Sequence, residues 1–223
     1  MQFKNRRSAG QHLAKDLAVY ADRADVLVLA LPRGGVPVAF EVAKALNVPL
    51  DVFVVRKLGV PGREELAMGA IASGGVQVLN DDIVRSIPDF NQVITLVAAK
   101  ETKELERRET LYRGDRPFPT IQGRIVILVD DGLATGATMR AAVEALRNYQ
   151  PASIVIAVPV SAPETYQQLQ AKVEEIVCAV IPKRFYSVGL WYEDFPQTTD
   201  EEVRNLLTTA ANGSQSAVGG EKT

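Results

Sequence analysis

The densest chemistry in the chain lies in Val126-Ile127-Leu128-Val129-Asp130-Asp131-Gly132-Leu133-Ala134-Thr135-Gly136-Ala137-Thr138. An apolar strand-like run delivers two adjacent carboxylates, a loop of small residues and hydroxyls follows, and a helix begins behind it. Small residues let backbone N–H groups approach an anion, and a helix start adds donors and a favourable dipole. Ala134, Thr135, Gly136, Ala137 and Thr138 therefore suit a monophosphate, with Thr135 and Thr138 adding hydroxyls. Asp130 and Asp131 suit a polyol or a metal-bound sugar, so the two features together point to a sugar phosphate. An Asp-Gly turn with threonine caps would account for a bare Asp-Gly, but the whole stretch favours ligand binding. A Walker A loop is ruled out, because no Lys follows the glycine as that motif requires, and the dinucleotide fingerprint GxGxxG is absent.

Two further loops could serve the same ligand. In Pro32-Arg33-Gly34-Gly35 the glycines permit close backbone approach, and Arg33 adds charge. Arg56-Lys57-Leu58-Gly59-Val60-Pro61-Gly62-Arg63 carries three cations, either as a solvated loop or as a segment hinged by Gly59 and Gly62 and facing an anion. Glu64 and Glu65 read as solvated, His12 as a helix-surface residue, and Cys178 as a buried filler in a strand.

These loops need a scaffold. Val26-Leu27-Val28-Leu29-Ala30-Leu31 is apolar without alternation, as in a parallel strand covered on both faces. Residues 50–55, 125–129, 154–160 and 176–181 read as further buried strands. Helices are expected over residues 8–20, with Ser8 as cap, and over 38–46, 91–112, 139–149 and 163–172, with a short last helix opening at Asp200. Residues 67–72 and 76–80 flank Ser73-Gly74-Gly75 as a hairpin, and residues 56–65 read as a polar loop. The alternation predicts an α/β fold: an open, mainly parallel sheet with helices on both faces, plus a small hood. Ligands bind beyond the carboxyl ends of such strands, where residues 32–36, 56–65 and 130–138 all fall.

The 126–138 stretch resembles the phosphoribosyl diphosphate (PRPP) signature of type I phosphoribosyltransferases, and residues 8–195 look like a bacterial group described as predicted phosphoribosyltransferases. The resemblance implies that Asp130 and Asp131 bind the ribose hydroxyls, directly or through Mg²⁺, and that Ala134, Thr135, Gly136, Ala137 and Thr138 hold the 5-phosphate. It implies that Arg33, Gly34 and Gly35 grip the diphosphate, and that Arg56 and Lys57 act with the acidic pair in catalysis. In Phe185-Tyr186-Ser187-Val188-Gly189, Tyr186 takes the place of the aromatic residue that stacks on the base in the hood of purine enzymes. Core packing is the other reading of that stretch. The implied reaction is displacement of diphosphate from PRPP by a ring nitrogen of a nucleobase-like acceptor. The alternative is a PRPP or nucleotide sensor with little catalysis.

Composition bounds the rest. The 223 residues include 47% hydrophobic and 23% charged, with a net charge of −2, one His and one Cys. That is ordinary globular composition. The charge argues against nucleic-acid partners, and single His and Cys residues exclude multi-His and multi-Cys metal sites. No apolar run reaches membrane-spanning length, and the basic N-terminus lacks the apolar segment of a secretory signal. A cytoplasmic homo-oligomer, a dimer, is expected. One domain over residues 1–208 is expected, with hood elements from 60–115 and 182–200 and a disordered tail over 209–223.

Overall fold

The computed structural model describes residues 1–218. Five strands, β1 (Val26–Ala30), β2 (Leu50–Val52), β6 (Ile125–Val129), β7 (Ser153–Val160) and β8 (Glu175–Val180), form a sheet in the order β2-β1-β6-β7-β8. Every neighbouring pair in it is parallel. Three strands, β3 (Val55–Val60), β4 (Arg63–Ala72) and β5 (Val76–Leu79), form a second, antiparallel sheet. The helices are α1 (Arg6–Asp16), α2 (Gly35–Leu46), α3 (Asp81–Val84), α4 (Phe90–Arg113), α5 (Ala137–Arg147), α6 (Pro163–Gln170) and α7 (Asp200–Val218).

The unbroken apolar runs have the cause expected of them. Along β1, Val26, Val28 and Ala30 enter one core with α1, α2, α4 and α7, whereas Leu27 and Leu29 enter a second core with Met139, Ala142 and Val143 of α5. Successive side chains point to opposite faces, so a strand covered on both sides must be apolar at every position. β6 divides in the same way, with Ile127 and Val129 on one side and Val126 and Leu128 on the other.

Four expectations need correction. Residues 50–55 are not one strand: β2 ends at Val52, and Ser73, hydrogen-bonded to Val54, turns the chain into the second sheet at Val55. Residues 56–65 are not a loop. They form the hairpin of β3 and β4, which turns at Pro61-Gly62, where Gly62 has φ 77°. Pro followed by a positive-φ glycine is the pattern of a type II turn, and the cations flanking buried Leu58 hid the strand. The last helix is long. α7 continues to Val218, across the expected start of a disordered tail, with Val203 and Leu207 buried in the first core. The rest of that tail, 219–223, lies outside the described residues. In α1 the cap is Asn5, whose side chain accepts from the Ser8 amide while the Ser8 hydroxyl accepts from the Asn5 amide.

Candidate functional site

β1 and β6 are adjacent and in register, Ala30 beside Val129, so the segments that follow them leave the sheet side by side. The contact is close. A β-carbon on Gly34 would lie 2.0 Å from Asp131 Oδ2, and one on Gly35 would lie 2.7 Å from the Val129 carbonyl oxygen. Only glycine lets the 32–35 turn reach the acidic pair. The Pro32–Arg33 peptide is cis. Gly35 N–H donates to the Leu31 carbonyl at 3.1 Å, and the amides of Arg33 and Gly34 donate to no described residue. The Arg33 side chain approaches Asp200 at the start of α7, Nη1 to Oδ1 3.6 Å.

The carboxylates of Asp130 and Asp131 are half-buried. Asp130 Oδ1 accepts from the Asp131 amide at 2.8 Å. Burial raises the pKa of both carboxyls, and the neighbouring Asp131 charge raises that of Asp130 further, because desolvation and like charge both disfavour ionisation. Arg6 opposes this, its Nε donating to Asp131 Oδ2 at 2.8 Å. Oδ1 of Asp131 accepts from no described residue. Such a pair is poised to gain from a bound cation or hydroxyl donors.

Beyond the pair, Leu133 bridges to Ser161 after β7, anchoring the loop. Gly136 caps α5 at φ 68°, a conformation that favours glycine. Arg140 Nη1 donates to the Thr135 carbonyl at 2.7 Å and the Thr165 hydroxyl to the Ala134 carbonyl at 2.6 Å, so the loop carbonyls are turned away and held. The amides of Ala134, Thr135, Gly136 and Thr138 donate to no described residue, and all of the loop except Gly136 is exposed. This is a ready-made anion cradle at a helix N-terminus.

The hairpin separates Arg56 from Lys57. Arg56 pairs in register with Ile71, which belongs to the first core, and its guanidinium donates to Glu101 of α4 at 2.6 Å. Lys57 pairs with Ala70, which in turn pairs with Val78, on the face that meets α5. Adjacent strand residues face opposite ways, so only Lys57 lies on the α5 side. Tyr186 is exposed and makes no ring contact within the site. His12 stacks edge-on to Phe3, and Cys178 is half-buried in β8, burial pushing its thiol up to about 11.

Sequence reasoning missed three residues at the site: Arg6, Tyr192 and Phe195. Arg6 has its guanidinium 3.7 Å from the centre of the Phe195 ring. Tyr192 donates its hydroxyl to the Asp131 carbonyl at 2.6 Å and stacks on Phe195. These aromatics, not Tyr186, touch the acidic pair's surroundings. For Tyr192 and Phe195 the available signal is aromatic composition, since Phe185, Tyr186, Trp191, Tyr192 and Phe195 fall within eleven residues; Arg6 has none.

The model of the phosphoribosyl transferase domain matches residues 2–190. A Mycobacterium tuberculosis protein named "Putative phosphoribosyl transferase" is 47% identical over 208 residues, 93% of this chain and 47% of its own length. A "Bifunctional protein PyrR" of Corynebacterium diphtheriae is 34% identical over 104 residues, 41% of this chain and 50% of its own. The chain thus spans about half the length of the curated relatives it matches. A crystal structure from Thermus thermophilus superposes with a TM-score of 0.84 at 42% identity, covering 94% of this chain and 99% of that one. By the domain that matches residues 2–190, this chain belongs to the phosphoribosyl transferase domain family.

Proposed function

We propose that the protein transfers the phosphoribosyl group of PRPP to a ring nitrogen of a nucleobase-like acceptor, with Mg²⁺. The observation that carries this reading is the convergence at one sheet edge of three unlike features: the donor-rich 134–138 loop, the acidic pair, and the glycine turn that a single β-carbon would drive into Asp131. Along that edge they would take the phosphate, the ribose and the diphosphate of one ligand. Mg²⁺ fits the pair, since two adjacent carboxylates with raised pKa and a spare Oδ1 are hard oxygen donors. Among the described residues no cluster of three or more acidic, His or Cys side chains could hold a metal alone. Asp130 and Asp131 would hold it together with ligand oxygens, as Mg²⁺ sites commonly do. When bound it would neutralise charge on the leaving diphosphate.

The chain's own residues then divide the work. The 134–138 amides fix the 5-phosphate, and Asp130 and Asp131 orient the ribose hydroxyls. Arg33 and the amides of Arg33 and Gly34 face the charge that grows as diphosphate departs, fixed donors being worth most where charge develops. Lys57, on the hairpin's α5 face, supplies a further cation, and the hairpin is the element whose closure would exclude water from C1. Arg56, bound to Glu101, ties that hairpin to α4. A sensor with little turnover is the second reading. It is favoured by one observation, that Arg56 is committed to Glu101 and so stands away from the leaving group.

Incubation of the full chain with PRPP, Mg²⁺ and a panel of purines and pyrimidines, with diphosphate detection, tests the proposal. Diphosphate released with one base and not without it is the expected result. Tight PRPP binding with no release on any base selects the sensor, and no PRPP binding at all refutes both.

A further inference from the structure

Arg6 connects the start of α1 and the 195–196 segment to the acidic pair. Its Nε donates to Asp131 Oδ2 at 2.8 Å, its Nη1 donates to the Pro196 carbonyl at 2.6 Å, and its guanidinium lies over Phe195. The side chains of Arg6 and Asp131 are 11% and 16% exposed, so the pair is largely removed from water. Arg6 is held in place from two directions. Asn5 caps α1 immediately before it, and Phe3 is stitched to the 191–193 segment, its amide donating to the Trp191 carbonyl at 2.8 Å and its carbonyl accepting from Glu193 at 2.9 Å.

Asp131 Oδ2 thus lies between Arg6 and the backbone of Gly34, where a β-carbon would come within 2.0 Å. A carboxylate gripped on one oxygen by a charge-assisted hydrogen bond and walled by backbone has little rotational freedom. Its other oxygen, Oδ1, is left as the acceptor. From the other side, the Tyr192 hydroxyl holds the Asp131 carbonyl.

We propose that Arg6 is a positioning residue for sugar recognition: it fixes the Asp131 carboxylate with Oδ1 toward the ribose hydroxyls and links that orientation to the 191–196 segment. This rests on the phosphoribosyl reading. Arg6 touches no part of the ligand's phosphate cradle, which is built from residues 134–138, with its carbonyls held by Arg140 and Thr165. The proposal therefore separates the sugar from the phosphate, which a role in folding alone would not.

The test uses the full chain, Arg6→Gln and Arg6→Lys, and calorimetric titration with two probes, ribose 5-phosphate and inorganic phosphate. Arg6→Gln should weaken ribose 5-phosphate about ten-fold or more, a loss of about 1.4 kcal/mol, and leave inorganic phosphate within about two-fold. Arg6→Lys keeps the charge but loses the planar stacking and the second donor direction, so its affinity should fall between wild type and Arg6→Gln. Unchanged ribose 5-phosphate binding in Arg6→Gln overturns the proposal. Equal weakening of both probes overturns it in favour of a folding role, and tighter sugar binding overturns it by making Arg6 a competitor. Should the wild type bind inorganic phosphate but not ribose 5-phosphate or PRPP, the phosphoribosyl reading itself fails, and this inference with it.

Discussion

Gly34→Ala isolates the contact on which the site depends. Gly34 has φ −59° and ψ −31°, ordinary helical values, so alanine meets no backbone objection there. The conflict is with one side chain: the added carbon would lie 2.0 Å from Asp131 Oδ2 and 2.6 Å from its Cγ. Flexible ends usually yield, but this one is held by Arg6 at 2.8 Å. Rotating Asp131 away surrenders a charge-assisted hydrogen bond worth about 1.5–3 kcal/mol. Alanine returns about 0.4–1 kcal/mol by restricting the unfolded chain. The net stability loss is then about 0.5–2.6 kcal/mol, which for a chain of this length lowers Tm by about 1–10 °C. PRPP binding should suffer more, because the displaced carboxylate no longer faces the ribose, and a ten- to hundred-fold weakening corresponds to about 1.4–2.8 kcal/mol. Scanning calorimetry and PRPP titration in Mg²⁺ measure the two effects. A Gly34→Ala protein that binds PRPP like wild type would refute the argument that the turn must approach the acidic pair.

Four other outcomes are expected. Asp130→Asn with Asp131→Asn should keep the fold, since both residues follow the end of β6, while losing about 1.5–3 kcal/mol with the charge-assisted Arg6 bond, and should weaken PRPP by more than about 2 kcal/mol, read by calorimetry. Lys57→Ala should lower single-turnover rate more than PRPP affinity, because only interactions stronger in the transition state accelerate the step; equal losses would assign it to ground-state binding. Arg113→Met should destabilise by about 3–5 kcal/mol in denaturant unfolding, since it strands Asp51, which Arg113 contacts at 3.2 Å in a buried setting. Cys178, its thiol pushed up to about 11, should react with iodoacetamide at pH 8 about a hundred-fold more slowly folded than unfolded. The sign follows from the raised acid: the native state holds its proton where the unfolded state does not, so stability from this group falls as pH rises from about 9 toward 11.

The sequence by itself determined the parallel sheet and the two loops that leave it side by side after β1 and β6. Both signals are local. β1 and β6 are apolar at every position because each faces two cores, and the order of strand, acidic pair, small residues and helix is contiguous from Val126 to Thr138. Local signals failed where a partner elsewhere decides the conformation. Residues 56–65 read as a loop by their charges and glycines, yet the pairing of Val55–Val60 with β4 makes a strand, and the period-2 alternation then sends Arg56 to Glu101 and Lys57 to the α5 face. The polar composition after Thr208 reads as a tail, yet Val203 and Leu207, four residues apart on one helix face, dock α7 into the first core and the helix runs on. Tertiary structure alone decided the counter-ion of the acidic pair. Arg6 and Asp131 stand 125 positions apart, and nothing in a basic N-terminal stretch marks one arginine for burial. That choice is made by Phe3 joining the 191–193 backbone and by α1 capping at Asn5, which together carry the guanidinium to Oδ2.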